Sequence, residues 1–132
     1  MTRLLLDTHI WLWGLLEPER LRPRVVADLS NSSNELWLSP ISIWEFFVLH
    51  RKKRLALIAD ANAWVADRLA VAPLKEAPVT IEVARELGRL QLPHGDPADH
   101  FLVATAKVFE LTLVTADERL LRLRDIPLLP NR

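Results

Sequence analysis

The chain has no cysteine among its 132 residues. That excludes disulfides and thiolate metal sites, and it accords with a reducing compartment. It has no excess of charge: 17 basic residues balance 17 acidic ones. Overall charge therefore supplies no general attraction to nucleic acid, and only local clusters can. Long apolar runs are missing too. The stretch Ile10 to Leu16, counting Gly14, falls far short of the roughly 18 residues a membrane span needs. Asp7 and His9 interrupt the apolar N-terminal stretch, and no small-residue cleavage site follows Leu16, so no secretory signal is expected. No repeat, low-complexity tract or internal boundary is visible. With 50% hydrophobic and 26% charged residues, the expectation is one soluble, cytoplasmic domain spanning residues 1–132, with enough apolar chain to build a core.

What is present alternates between strand-like and helix-like segments. Arg3-Leu4-Leu5-Leu6-Asp7 is a short continuous apolar run ending in an acid, as a buried parallel strand requires. Asp7 or Thr8 can cap a following helix, His9 to about Leu15. A helix from Arg22 to Leu29 stops at the polar cluster Ser30 to Asn34. Leu36-Trp37-Leu38 is the second strand candidate. Ser39 then caps, and Pro40 opens, a helix to about Lys53, with Ile41, Trp44, Val48 and Leu55 at helical spacing. Asp60 to Ala70 and Thr80 to Gly88 read as further helices, with an edge strand expected at Val71 to Leu74 between them. Asp96 stands at a cap and Pro97 at the first position of a mostly apolar helix. Leu111 to Thr115 is the most strand-like run. Thr115-Ala116-Asp117-Glu118 reads as a capping box for a short helix to about Leu123, and Asp125 to Leu128 as a last strand. Strands alternating with helices predict an α/β fold, a parallel sheet with helices on both faces.

One pattern recurs along this frame: an acid at an element junction beside an apolar run. Asp7 ends the first strand, Asp117 follows the last strong strand, and Asp96 and Asp99 open the helix before that strand. In an open parallel sheet, sites form at the carboxyl ends of the strands. Glu45 joins them only if its helix leans over the same edge. Each acid also has a plainer reading. Asp7 and Asp96 could be caps, Asp117 a first-turn partner of a helix dipole, and Glu45 a carboxylate paired by Arg or Lys. Several carboxylates in one cleft repel each other, and a divalent cation relieves that repulsion. Oxygen-only ligands favour Mg²⁺ or Mn²⁺ over zinc. His9, His50, His94 and His100 offer no helical i, i+4 ligand pair; His94 or His100 could at most carry protons.

Four segments resemble the signature segments of PIN-domain proteins, in particular VapC-type toxins of bacterial toxin–antitoxin modules. They are Leu4-Leu5-Leu6-Asp7-Thr8-His9, Ser39-Pro40-Ile41-Ser42-Ile43-Trp44-Glu45, His94-Gly95-Asp96-Pro97-Ala98-Asp99-His100 and Leu113-Val114-Thr115-Ala116-Asp117. The resemblance spans almost the whole chain in order and spacing. It implies a PIN-like three-layer α/β/α fold with a mostly parallel central sheet. It implies a Mg²⁺- or Mn²⁺-dependent endoribonuclease whose four acids are Asp7, Glu45, Asp99 and Asp117. Asp96 matches an extra aspartate of a subgroup with an Asp-Pro-x-Asp turn, and Thr115 a hydroxyl that orients the fourth acid or a metal-bound water. His100 departs from the basic residue frequent in that subgroup, and Glu118 leaves open which neighbouring acid reaches the ion. The resemblance also implies a cognate VapB-type antitoxin, an RNA substrate and a homodimer.

A receiver domain also gathers acids around Mg²⁺, but it wants paired acids after strand one and a Lys where Thr115 stands. An aspartyl phosphatase wants a second Asp two residues after Asp7, where His9 stands. A non-catalytic binding module would not need all four acids. Arg51-Lys52-Lys53-Arg54 and the trio Arg20, Arg22 and Arg24 are solvated helix ends or RNA phosphate contacts. Trp11 and Trp13, two apart, cannot share one helix face, so one should be core and the other open to a partner.

Overall fold

The computed structural model of the chain describes residues 1–55, 58–92 and 95–132. The first strand, β1 (Arg3–Leu6), is buried on both faces. Leu4 and Leu6 join a cluster with Ile10, Trp11, Phe46 and Val65. Leu5 points the other way, into a cluster with Leu102, Val103 and Leu113. Because both faces are covered, Leu4 to Leu6 are apolar in succession and do not alternate.

The remaining elements follow in order: α1 (Thr8–Leu16), α2 (Pro23–Ser30), β2 (Glu35–Leu38), α3 (Pro40–Arg51), α4 (Ala61–Val71), β3 (Lys75–Glu76), α5 (Ile81–Leu87), α6 (Pro97–Phe109), β4 (Thr112–Thr115) and β5 (Leu128–Pro130). The five strands form one sheet in the order β3-β2-β1-β4-β5, every pair parallel. Leu5 pairs with Trp37 on one side and Leu113 on the other, which fixes the register at the centre. This is the three-layer α/β/α arrangement that the alternation of elements predicts. Among the described residues, no helix is long and apolar enough to cross a membrane.

Capping sets the helix starts where the sequence places them. Ser39 accepts from the amide of Ile41 at 3.1 Å, with Pro40 behind it. Asp60 and Thr80 cap α4 and α5 in the same way. Aromatic packing holds the first cluster: Phe46 stacks on Trp64 with centroids 4.9 Å apart and meets Trp11 edge-on. On the opposite face of the sheet Trp37 stacks on Phe109.

Four details differ from the sequence expectation. The edge strand lies at Lys75–Glu76, not Val71 to Leu74, because α4 continues through Val71. It is short, charged and exposed, so hydrophobicity does not mark it; the backbone does, with the Ala77 amide donating to Leu38 at 2.9 Å. The last strand is Leu128–Pro130, three residues later than Asp125, with Pro130 tolerated at the sheet edge. Trp44, placed on the apolar stripe of α3, is 51% exposed; Ser42 and Phe46 face inward in its stead. Thr115 opens no helix: only a single 3₁₀ turn, Leu120–Arg122, follows.

Candidate active site

The chain runs outward from β1 through β2 to β3, then returns to the other side of β1 with β4 and β5. Strand order reverses there, and a crevice opens at the carboxyl ends of β1 and β4, where α/β sheets bind ligands. The crevice holds a cleft of about 300 Å³ whose walls carry Asp7, Glu45, Asp96, Asp99 and Asp117, together with Arg119. All five acids singled out in the sequence therefore meet in one place.

Asp7 is the residue after β1, and its amide donates to the Val114 carbonyl of β4 at 3.0 Å. It stands at the N-cap of α1, but its carboxylate does not close the cap. It accepts instead from the Thr115 hydroxyl at 2.6 Å. The side chain is 7% exposed. Burial pushes its carboxyl above the usual carboxylate range; the Thr115 hydrogen bond and the nearby His9 work against that shift, and the Asp117 charge adds to it.

Glu45 lies one turn and a half into α3, which leans over the same edge. Its carboxylate accepts a short hydrogen bond from the Thr8 hydroxyl, and Thr8 also meets the Ser42 hydroxyl at 2.8 Å. A threonine, not the Arg or Lys of the plainer reading, holds this acid. Burial raises its pKa, and the charges of Asp7 and Asp96 raise it further against the Thr8 hydrogen bond.

Asp96 and Asp99 come from the start of α6. Asp96 does cap that helix, accepting from the Ala98 amide at 3.1 Å, and it lines the cleft as well. Capping and facing the cleft are not exclusive. Asp99, in the first turn, is 6% exposed. His100 follows it, half-buried; His94 lies outside the described residues.

Asp117 follows β4 in a tight turn. Its amide donates to the Thr115 hydroxyl at 3.0 Å, and its carboxylate accepts from the Arg119 amide at 2.8 Å. Thr115 thus ties Asp7 and Asp117 together through one buried hydroxyl. Hydrogen bonding from the Arg119 guanidinium holds the Asp117 carboxyl below its usual range. Glu118 turns out to Arg132, 2.8 Å away, so Asp117 and not Glu118 faces the cleft.

Sequence reasoning missed Arg119. Its Nη2 lies 3.0 Å from Asp117 Oδ2 and 3.7 Å from Asp99 Oδ2. The signal was its spacing: two residues past an acid in the turn after a strand, its side chain can return to the same carboxylate. Trp11 and Trp13 divide as residues two apart on a helix must. Trp11 is core, whereas Trp13 lines the cleft with the Arg20 guanidinium 4.2 Å above its ring. The basic run Arg51 to Arg54 is solvent-exposed.

As the side chains stand, no three carboxylates or imidazoles among the described residues converge closely enough to hold one metal ion. The donor set nevertheless suits a hard cation. It is all oxygen, it is charge-dense, and two of its members carry raised pKa values that a divalent charge would reverse. The local charge is balanced in part by Arg119.

Fold and cleft together define an α/β protein of the class that gathers carboxylates at the carboxyl edge of a parallel sheet. The chain belongs to the PIN-domain family, whose model matches residues 4–126. It is 33% identical over 121 residues to Ribonuclease VapC22 of Mycobacterium tuberculosis, covering 91% of each chain. Among solved structures it superposes on a chain of VapBC2 from Rickettsia felis bound to a promoter DNA fragment, with a TM-score of 0.72, 14% identity and 98% of each chain covered. DNA-bound VapBC from Salmonella typhimurium gives a TM-score of 0.68, 18% identity and the same coverage. At these identities the two superpositions speak to the fold.

Proposed function

We propose that this protein is a metal-dependent endoribonuclease, the toxin of a VapBC-type toxin–antitoxin module. The observation that carries the proposal is the meeting of Asp7, Glu45, Asp96, Asp99 and Asp117 in one cleft at the sheet's reversal point. Carboxylates crowded this way are stabilised by a cation, and phosphodiester hydrolysis is the chemistry that such a cation serves. The likeness to a ribonuclease over 91% of the chain supports RNA as the substrate. Cytoplasmic RNA, one domain over residues 1–132, a homodimer and a cognate VapB-type antitoxin belong to the same reading; complexes of that kind are among the structural relatives.

Asp7, Glu45, Asp99 and Asp117 would hold Mg²⁺ or Mn²⁺, and Asp96 would join them directly or through water. When bound, the ion supplies the positive charge that acidifies a water and offsets the charge of the phosphodiester. The protein's own share is orientation. Thr115 donates to Asp7 and receives the Asp117 amide, so two acids from different elements keep a fixed separation. Thr8 turns Glu45 into the cleft from across α1. The aspartate pair at the start of α6 adds charge beside the positive end of that helix. The test is cleavage of single-stranded RNA by the purified chain with Mg²⁺ or Mn²⁺. Activity should vanish with chelator and fall by about 10³-fold or more in Asp7→Asn and Asp99→Asn. Full activity in either variant would refute the assignment.

A further inference from the structure

We infer that Arg119 is the resident counter-ion of the acid cleft, that a divalent cation displaces it from Asp99 and Asp117, and that the freed guanidinium then binds an RNA phosphate. The inference rests on the nuclease reading. Its starting point is one nitrogen that reaches two acids from different elements, Asp117 after β4 at 3.0 Å and Asp99 on α6 at 3.7 Å. Nε adds a second contact to Asp117, 3.3 Å from Oδ1. Arg119 thus bridges two of the groups a metal would need, in a cleft where no three ligands converge as they stand.

Three features make this a placeholder and not a fixed strut. The side chain is 50% exposed, and ion pairs that open to water are weak. A doubly charged ion among the same carboxylates outcompetes one guanidinium. The backbone, in contrast, is anchored: Leu120, next in the chain, is fully buried. On displacement the side chain swings while its base stays at the rim of the cleft. The planar donor fork that fits a carboxylate fits a phosphate equally well. A polyanion entering a cleft walled by five acids needs a cation at the rim, and Arg119 is the guanidinium that lines this one. A plain surface ion pair between Arg119 and Asp117 would predict none of the coupling below.

The experiment compares the wild-type chain with Arg119→Gln and Arg119→Lys. Substitution at a half-exposed position spares the core. Mn²⁺ binding is measured by calorimetry without RNA, and KM and kcat for RNA cleavage at saturating Mn²⁺. Arg119→Gln should bind Mn²⁺ about two- to fivefold more tightly, since a competing cation of modest strength is gone. Its KM for RNA should rise about tenfold or more with kcat less affected, and Arg119→Lys should recover part of that loss. Unchanged or weaker Mn²⁺ binding in Arg119→Gln overturns the counter-ion role while leaving the nuclease reading intact. Tighter Mn²⁺ binding with an unaltered KM overturns the phosphate role. A wild-type chain that binds no Mn²⁺ overturns both this inference and the nuclease reading.

Discussion

Asp7→Asn should make the metal-free protein more stable and the Mn²⁺-loaded protein less so. Asp7 is 7% exposed, and burial raises its pKa in the folded state. The folded chain therefore holds the Asp7 proton more tightly than the unfolded chain does. Stability falls as pH climbs from the unfolded value near 3.8 through the higher folded value, and at neutral pH the whole penalty is in force. Asn keeps an oxygen for the Thr115 hydroxyl but carries no charge. Relief of one crowded, buried charge is worth on the order of 1 kcal/mol. Unfolding entropy of about 2.1 cal/mol/K per residue amounts to ~0.28 kcal/mol/K for this chain, so the gain is about 4 °C in Tm. Mn²⁺ at 100 times its Kd should stabilise the wild type by about 2.7 kcal/mol, or ~10 °C. The variant, short of one buried carboxylate of the cleft, should gain little. Melting curves at neutral pH, with Mn²⁺ and with chelator, should therefore cross: variant above wild type without metal, below it with metal. A variant that melts lower than wild type in chelator would mean that the Asp7 charge carries no folding penalty, and two proteins that respond alike to Mn²⁺ would mean that Asp7 does not meet the ion.

Other substitutions probe the frame around the cleft. Thr115→Val removes the hydroxyl that donates to Asp7 and accepts from the Asp117 amide; it should cost about 1–3 kcal/mol in urea denaturation, and a loss below the error of the method would remove Thr115 from its orienting role. Asn131 donates to the Arg20 carbonyl at 3.1 Å and accepts from the Arg22 amide at 2.7 Å. Asn131→Ala should cost a similar ~1–3 kcal/mol by leaving those groups unpaired, and an unaltered urea midpoint would contradict that. Phe46→Ala should cost about 3–5 kcal/mol, because the ring is fully buried between Trp11 and Trp64. Trp44→Gln, on the solvent side of the same helix, should stay within about 0.5 kcal/mol of wild type; a Phe46-sized loss there would mean that the face of α3 is misassigned.

Much of the frame is legible in the residues. The run Leu4 to Leu6 announces a strand covered on both faces. Ser39-Pro40 and Asp96-Pro97 mark the two helix starts that carry Glu45 and Asp99. Elsewhere a local rule meets a longer-range one and yields to it. Lys75–Glu76 forms a strand only because β2 offers its edge, and neither side chain says so. Trp44 fits a helical stripe, but α3 buries the face of Ser42 and Phe46 because Thr8 and Trp11 wait there. Thr115 carries the pattern of a capping box, yet its hydroxyl is recruited by Asp7, 108 positions away. Asp7, Asp96, Asp99 and Asp117 are legible because they stand at or next to element junctions, whereas Glu45, inside α3, needs the lean of that helix. Spacing alone links Arg119 to Asp117; its second acid, Asp99, comes to it through α6 and not through the local chain.

If these carboxylates share a divalent cation, anomalous diffraction from crystals equilibrated with millimolar Mn²⁺ should reveal it. The expected map has a peak in the cleft with Asp7 and at least two of Glu45, Asp99 and Asp117 among its ligands, at metal–oxygen distances near 2.1–2.2 Å. A map with ordered side chains and no peak there, with Arg119 still on Asp117, would contradict a shared ion.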